Sequence, residues 1–131
     1  MSTPQSSSSQ EETQESKMPR RPSEIDAFVD RFLTTVCDTS RRYIVELLAL
    51  PDENGTTHLE RRSGDIARAI GLSAATTSEH LRHLSRVGLV TSRREGNIVY
   101  YKLRNHKLVQ AFQDLLEALD NDYSESHIQN P

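Results

Sequence analysis

Five stretches of this chain place their apolar residues at helical spacing, and one stretch is dense in β-branched and aromatic residues. From Ser23, an N-cap candidate, Ile25, Phe28, Val29, Phe32, Leu33 and Val36 fall at i, i+3, i+4, i+7, i+8 and i+11, which predicts an amphipathic helix of about three turns. Asp38 suits the N-cap of a second helix, whose buried stripe is Tyr43, Ile44, Leu47 and Leu48 and whose end is marked by Pro51. A polar loop over 51–58 follows, and Thr57-His58-Leu59 is a candidate short strand beside the later hairpin.

The stretch from Ser63 to Leu103 carries the strongest signal. A third helix begins at Ser63 as N-cap, turns Ile66, Ala67 and Ile70 to one face, and stops at Gly71. Ser73 caps a fourth, in which Thr77, Leu81, Leu84 and Val87 recur at i, i+4, i+7 and i+10 before Gly88 ends it. The runs 89–94 and 97–103 then read as a β-hairpin around Glu95-Gly96-Asn97, with Gly96 supplying a positive φ. Two short helices about a glycine turn, followed by a hairpin, is the order of a helix-turn-helix with a wing. Asn105 caps a last helix whose broad apolar face holds Leu108, Val109, Phe112, Leu115, Leu116 and Leu119. The predicted fold is therefore mainly α with a small β-hairpin: a winged helix-turn-helix of about five helices plus a two-stranded wing.

Outside these elements the chain is polar. Residues 1–22 are Ser, Gln, Glu, Thr and Pro with hardly an apolar side chain, too few to offset the entropy of ordering, so a disordered tail is expected there. A folded domain over 23–121 and a flexible tail over 122–131 complete the organisation. At 131 residues, with 34% hydrophobic and 5% aromatic side chains, the single core is small and gains from dimerisation. The first and last helices show more apolar stripe than this unit can cover, so Ile25, Phe28, Phe32, Leu108, Phe112, Leu115 and Leu119 are expected at a dimer interface. One cysteine and no apolar run long enough for a signal peptide or a membrane span point to a reducing cytoplasm and no membrane partner.

A net charge of −3 argues at first against a nucleic-acid partner. Its distribution reverses that. Between Arg61 and Arg104 nine cationic side chains face three carboxylates, a local charge of +6, which leaves −9 for the rest. The face of the fourth helix opposite its apolar stripe begins with small and polar residues, which let a helix approach base edges, and continues with arginines. Ser73, Ala75, Thr76, Ser78, Glu79, His80, Arg82 and Arg86 are the candidate DNA contacts from this helix, with Arg93, Arg94, Asn97 and Lys102 from the wing.

Other chemistry is thin. Cys37 is either a redox switch or, the commoner case for a lone cysteine on an apolar helix face, a small core residue. His80 and His83, at i and i+3, can share a metal, yet His80 lies beside the buried stripe, where packing or a hydrogen bond near phosphate is favoured; His58, His106 and His127 form no ligand cluster. Glu79 either accepts from a cytosine amino group or pairs with Arg82 or His83, and the pair is favoured. No nucleophile with its base, carboxylate dyad or phosphate loop is visible, so no enzyme and no cofactor are expected.

Together, 38–44, 65–73, 77–84, Gly88-Leu89-Val90 and 96–101 resemble the ArsR/SmtB family of winged-helix repressors, over about residues 25 to 120. The resemblance implies a homodimer, held by its first and last helices, that represses transcription from an inverted-repeat operator in double-stranded DNA. It also implies two places for metal, and the residues depart from the family at both. The helix that carries a Cys-Val-Cys core in the cysteine-rich sensors reads Gly64-Asp65-Ile66-Ala67-Arg68-Ala69 here. The zinc positions of the last helix hold Asn105, Lys107, Ala118 and Asn121, none a good ligand, so no metal is expected. The wing tip departs as well, with Asn97 where a basic residue is frequent. The alternative function is a winged helix that serves as a protein-interaction or assembly module; the arginines of the presumed DNA side count against it, since such a surface is more often apolar.

Overall fold

The computed structural model describes residues 17–57 and 59–127. Most of the tail expected at 1–22, His58 and the end of the tail expected at 122–131 lie outside the described residues. In chain order the elements are α1 (Ser23–Val36), α2 (Thr39–Ala49), β1 (Arg61–Arg62), α3 (Ser63–Ile70), α4 (Ala74–Arg86), β2 (Val90–Glu95), β3 (Ile98–Leu103) and α5 (His106–His127). The five helices pack about a three-stranded antiparallel sheet ordered β1-β3-β2.

Three of the five expected caps are made. Asp38 is extended and accepts from the Arg41 N–H at 3.0 Å, Ser73 accepts from the Thr76 N–H at 3.1 Å, and Asn105 accepts from the Leu108 N–H at 3.2 Å. Ser23 and Ser63 are not caps: each is the first helical residue, and the caps are Pro22 and Arg62, neither with a side-chain bond. The Pro22 carbonyl takes the N–H groups of Ile25 and Asp26, which starts α1 one residue early. Arg62 ends β1, so the strand itself delivers the extended backbone that a helix cap requires.

The Arg41 N–H bond, helped by the charge of the Arg41 side chain, holds the Asp38 carboxyl below the usual carboxylate range against the cost of burial. Asp38→Ala should cost about 1 kcal/mol of stability, and Asp38→Asn much less, in chemical melts at neutral pH. Because the folded-state pKa is depressed, the advantage over the alanine variant is complete above the ordinary carboxylate range and disappears as pH falls through the lowered value.

The α4 stripe is buried as its period requires: Thr77, Leu81, Leu84 and, just past the helix, Val87 are closed to solvent. Ile66 of α3, Ile44 and Leu48 of α2 and Leu89, Val90 and Leu103 of the hairpin meet it. The hairpin register runs from Val90 opposite Leu103 to Glu95 opposite Ile98, leaving Gly96 and Asn97 as a two-residue turn with Gly96 at φ +63°.

Beyond the two caps, the structure revises four other expectations. The strand beside the hairpin is formed by Arg61–Arg62, pairing with Tyr101 and Tyr100, while Thr57 and Leu59 are in no strand; the wing itself is the expected two-stranded hairpin. Cys37 is not a core residue: it lies just past the last turn of α1 and is exposed. Phe112 is not left for a partner, for at 6% exposure it belongs to the protomer core, its ring edge-on to that of Phe32 with centroids 6.4 Å apart. The start of the 122–131 tail is helical, since α5 runs to His127 through residues that include no Gly or Pro.

Candidate nucleic-acid interface

The turn between α3 and α4 sets the orientation of the second helix. Gly71 sits at φ +83°, a conformation that side-chain-bearing residues adopt only with strain, and its N–H and that of Leu72 both reach the Ala67 carbonyl, at 2.8 and 3.0 Å. Two residues later Ser73 starts α4. The 13 residues of α4 span roughly 20 Å, and with Thr77, Leu81 and Leu84 turned inward the outer face consists of Ala75, Thr76, Ser78, Glu79, Arg82 and Arg86, all exposed. A small first turn on a helix held rigidly by its other side can enter a major groove without steric conflict.

The charges on that face are coupled. The Glu79 carboxylate accepts from the Arg82 guanidinium and lies 3.2 Å from His83 Nε2, so both expected partners share it. The Arg82 hydrogen bond is the main reason its carboxyl stays below the usual range, with the charges of Arg82 and His83 acting in the same sense. Arg82 is thereby pinned along the outer face of the helix.

His80 takes a different place from the other candidates. It is half-buried, and its Nδ1 accepts from Arg41 Nε at 3.1 Å while Arg41 Nη1 donates to the Thr35 carbonyl at 3.2 Å. It ties α4 to the corner between α1 and α2, as its position on the flank of the buried stripe allows.

The wing divides its cations between two faces. Arg93 donates to both oxygens of Glu60, at 2.8 and 2.9 Å, to Glu95 at 3.3 Å, and lies over the Tyr100 ring at 4.6 Å. Those bonds, first that to Glu60, raise the Arg93 pKa further above its already high ordinary value and keep the Glu60 carboxyl low. Arg93 thus fastens the segment before β1 to the sheet. Arg94, its neighbour on the opposite face, and Asn97 and Lys102 are exposed. Arg94→Gln should therefore lower the salt slope of DNA binding by about one, whereas Arg93→Gln should leave that slope unaltered while lowering the melting temperature; equal slopes for the two would contradict this division.

Two cations outside the expected set border the same region. Arg62 and Arg68 line a cleft of about 240 Å³ between the start of α3 and the wing tip at Asn97. Both belong to the basic run legible in the sequence, but the β1 pairing that brings Arg62 beside the wing is not a local signal.

Of the expected interface residues, Ile25, Phe28, Leu115 and Leu119 are exposed on the protomer, Leu108 is half-buried against the core, and Phe32 and Phe112 pack on each other. Leu33 and Tyr123 join the exposed apolar set; Tyr123 continues the α5 stripe one turn beyond Leu119. At the positions where the family resemblance places zinc, Asn105 Oδ1 is engaged in capping α5, and Lys107, Ala118 and Asn121 are exposed. In the α3 stretch Asp65 is paired with Arg68. Among the described residues no three His, Cys, Asp or Glu side chains are grouped to hold a metal ion, and no helix is long and apolar enough to cross a membrane.

Comparison with known proteins agrees with this geometry. The family model for bacterial regulatory proteins of the arsR family matches residues 38–92, from the α2 cap to the middle of β2. The cadmium resistance transcriptional regulatory protein CadC of Listeria innocua is 35% identical over 85 residues, which cover 65% of this chain and 66% of that relative. The transcriptional repressor SdpR of Bacillus subtilis is 29% identical over 90 residues, 66% of this chain and 91% of the repressor. Among solved structures, the homodimeric winged helix-turn-helix DNA-binding domain of a possible ArsR-family regulator from Mycobacterium bovis superposes with a TM-score of 0.68 at 27% identity, covering 84% of this chain and 94% of that one. The transcriptional regulator HlyU of Vibrio vulnificus is 31% identical, with a TM-score of 0.54 and 74% and 92% of the two chains covered.

Proposed function

Since the chain belongs to the arsR family of bacterial regulatory proteins, we propose that it acts in the cytoplasm as a homodimeric repressor that binds an inverted-repeat operator, without catalysis. The observation that carries this reading is the outer face of α4: a small, polar first turn followed by Arg82 and Arg86, flanked by Arg94 and Lys102 of the wing. The repression named for SdpR and the homodimer named for the Mycobacterium bovis domain support it. A protein-docking role for the same face is disfavoured, because its exposed residues are small, polar or charged, whereas the exposed apolar side chains of α1 and α5 lie on other elements.

The cadmium of the Listeria relative's name does not carry over. A thiophilic metal needs thiolates or imidazoles at the α3 or α5 positions, and this chain offers Gly, Asp, Ile, Ala and Arg at the first and Asn, Lys and Ala at the second, with Asp65 paired to Arg68 and Asn105 engaged by a backbone N–H. The donor set does not fit either site.

Selection from a pool of random duplexes, followed by titration of the enriched sequence at two salt concentrations, tests the function. The expected motif is palindromic, with half-site centres about 10 base pairs apart, and its affinity falls at least about tenfold between 50 and 200 mM salt. An unenriched pool, or no binding at low salt, would refute the reading.

A further inference from the structure

A cleft of about 510 Å³ opens where four of the elements used above converge. Phe28 of α1 and Leu108 of α5 form one side, Val90 and Thr91 at the base of β2 another, and Arg86 and Arg104 its charged rim. The volume is that of sites for small organic ligands. Its chemistry is one-signed, for no carboxylate lines it. The cleft of similar size between α2 and α5 is the opposite case, with Glu46, Glu117 and Asp120 around Arg42. Arg104 uses one guanidinium N–H on the Gly88 carbonyl, at 3.2 Å, which steadies the side chain at the rim and leaves further donors in the planar fork.

We propose that this cleft binds a small organic anion, a carboxylate carried on an apolar body about the size of a phenyl ring, and that its occupancy sets the affinity of the dimer for DNA. The carboxylate meets Arg86 and Arg104, a geometry in which guanidinium forks give charge-assisted and often bidentate bonds. The apolar body lies against Phe28, Val90 and Leu108. The second half of the proposal rests on the DNA-binding reading. The walls join the end of α4 to the helices that carry the exposed apolar faces, so an occupant that spreads or fills the cleft shifts α4 relative to the dimer seam. Two sites connected in this way influence each other reciprocally.

The test begins without DNA. The full chain is titrated with phenylacetate and with its neutral isostere phenylacetamide, and backbone amides are followed by ¹H–¹⁵N NMR. Saturable phenylacetate shifts centred on Phe28, Val90, Thr91 and Leu108, at least about tenfold tighter than those of phenylacetamide, are expected. Arg86→Gln and Arg104→Gln should each weaken binding roughly tenfold at unaltered melting temperature; if Arg104→Gln loosens the fold through its Gly88 bond, Arg86→Gln remains the decisive variant. Equal binding of acid and amide, shifts elsewhere, or none below about 20 mM would overturn the site. So would a fall in the salt slope of DNA binding in both variants without phenylacetate binding, which would make the rim a contact for DNA phosphate. With DNA present, saturating phenylacetate should lower the DNA affinity by the same factor by which DNA lowers the phenylacetate affinity, and an unaltered DNA affinity would overturn the regulatory half. Failure of the protein to bind any DNA would instead fall on the proposed function, since the NMR titration stands apart from it.

Discussion

Leu115→Glu should leave the protomer folded, convert the dimer to a monomer, and reduce affinity for a two-half-site duplex to that of a lone winged helix. At 52% exposure Leu115 contributes little to the protomer core, so a carboxylate there is solvated in the monomer and desolvated only when a partner covers it. An uncompensated charge buried in this way costs several kcal/mol, and two-fold symmetry places two copies in every dimer. Even about 3 kcal/mol per copy raises the dimer dissociation constant by roughly four orders of magnitude. Ile25→Glu, at 46% exposure, should act in the same way from α1. Phe112→Glu should not: at 6% exposure, against the Phe32 ring, it puts the charge inside the protomer and should lower the melting temperature whatever the association state. Sedimentation across a concentration series, with thermal melts of each variant, separates the two behaviours. An unaltered dimer for both Leu115→Glu and Ile25→Glu would place the seam on other elements.

What the sequence disclosed was short in range. The caps at Asp38, Ser73 and Asn105 each depend on a residue three positions on, the Gly71 turn on four, and the α4 stripe on a period of 3.6, so neighbouring residues suffice to specify them. The pairing of Glu79 with Arg82 and His83 is of the same kind. Much of what local pattern could not show was set by partners distant in the chain. Arg93 has the composition of a DNA contact, but Glu60, 33 residues earlier, occupies it. His80 is held by Arg41, 39 residues away. A strand of two residues has no alternation to read, so only the open edge of β3 reveals that Arg61 and Arg62 belong to the sheet. Phe112 carries the same local pattern as Leu115, and the ring of Phe32 decides that one is core while the other stays exposed. At the end of α5 the aliphatic stripe stops at Leu119, only Tyr123 prolongs it, and the helix continues to His127, because propagating a helix needs no buried face once it is nucleated.

Arg82→Ala should weaken operator binding by roughly 5- to 150-fold and broaden the selected motif, the range of a lost base contact worth about 1–3 kcal/mol. The Glu79 pair moves the loss toward the upper end of that range. With Arg82 present the carboxylate is compensated by a guanidinium and an imidazole; with Arg82 gone, a carboxylate sharing only His83 faces the phosphates on the outer side of α4. Glu79→Ala alone removes a charge that DNA repels, but it also frees the Arg82 side chain, so its affinity should change little while its base preference relaxes. The double variant should consequently bind more tightly than Arg82→Ala, and the cycle of four proteins should give a coupling energy of about 1 kcal/mol. Measured on the selected duplex at one salt concentration, with melts to confirm that α4 stays folded, the cycle separates a pair that acts at the interface from two side chains that only share a helix surface. If Arg82→Ala costs the same with and without Glu79, the pair plays no part in reading DNA and Arg82 acts alone.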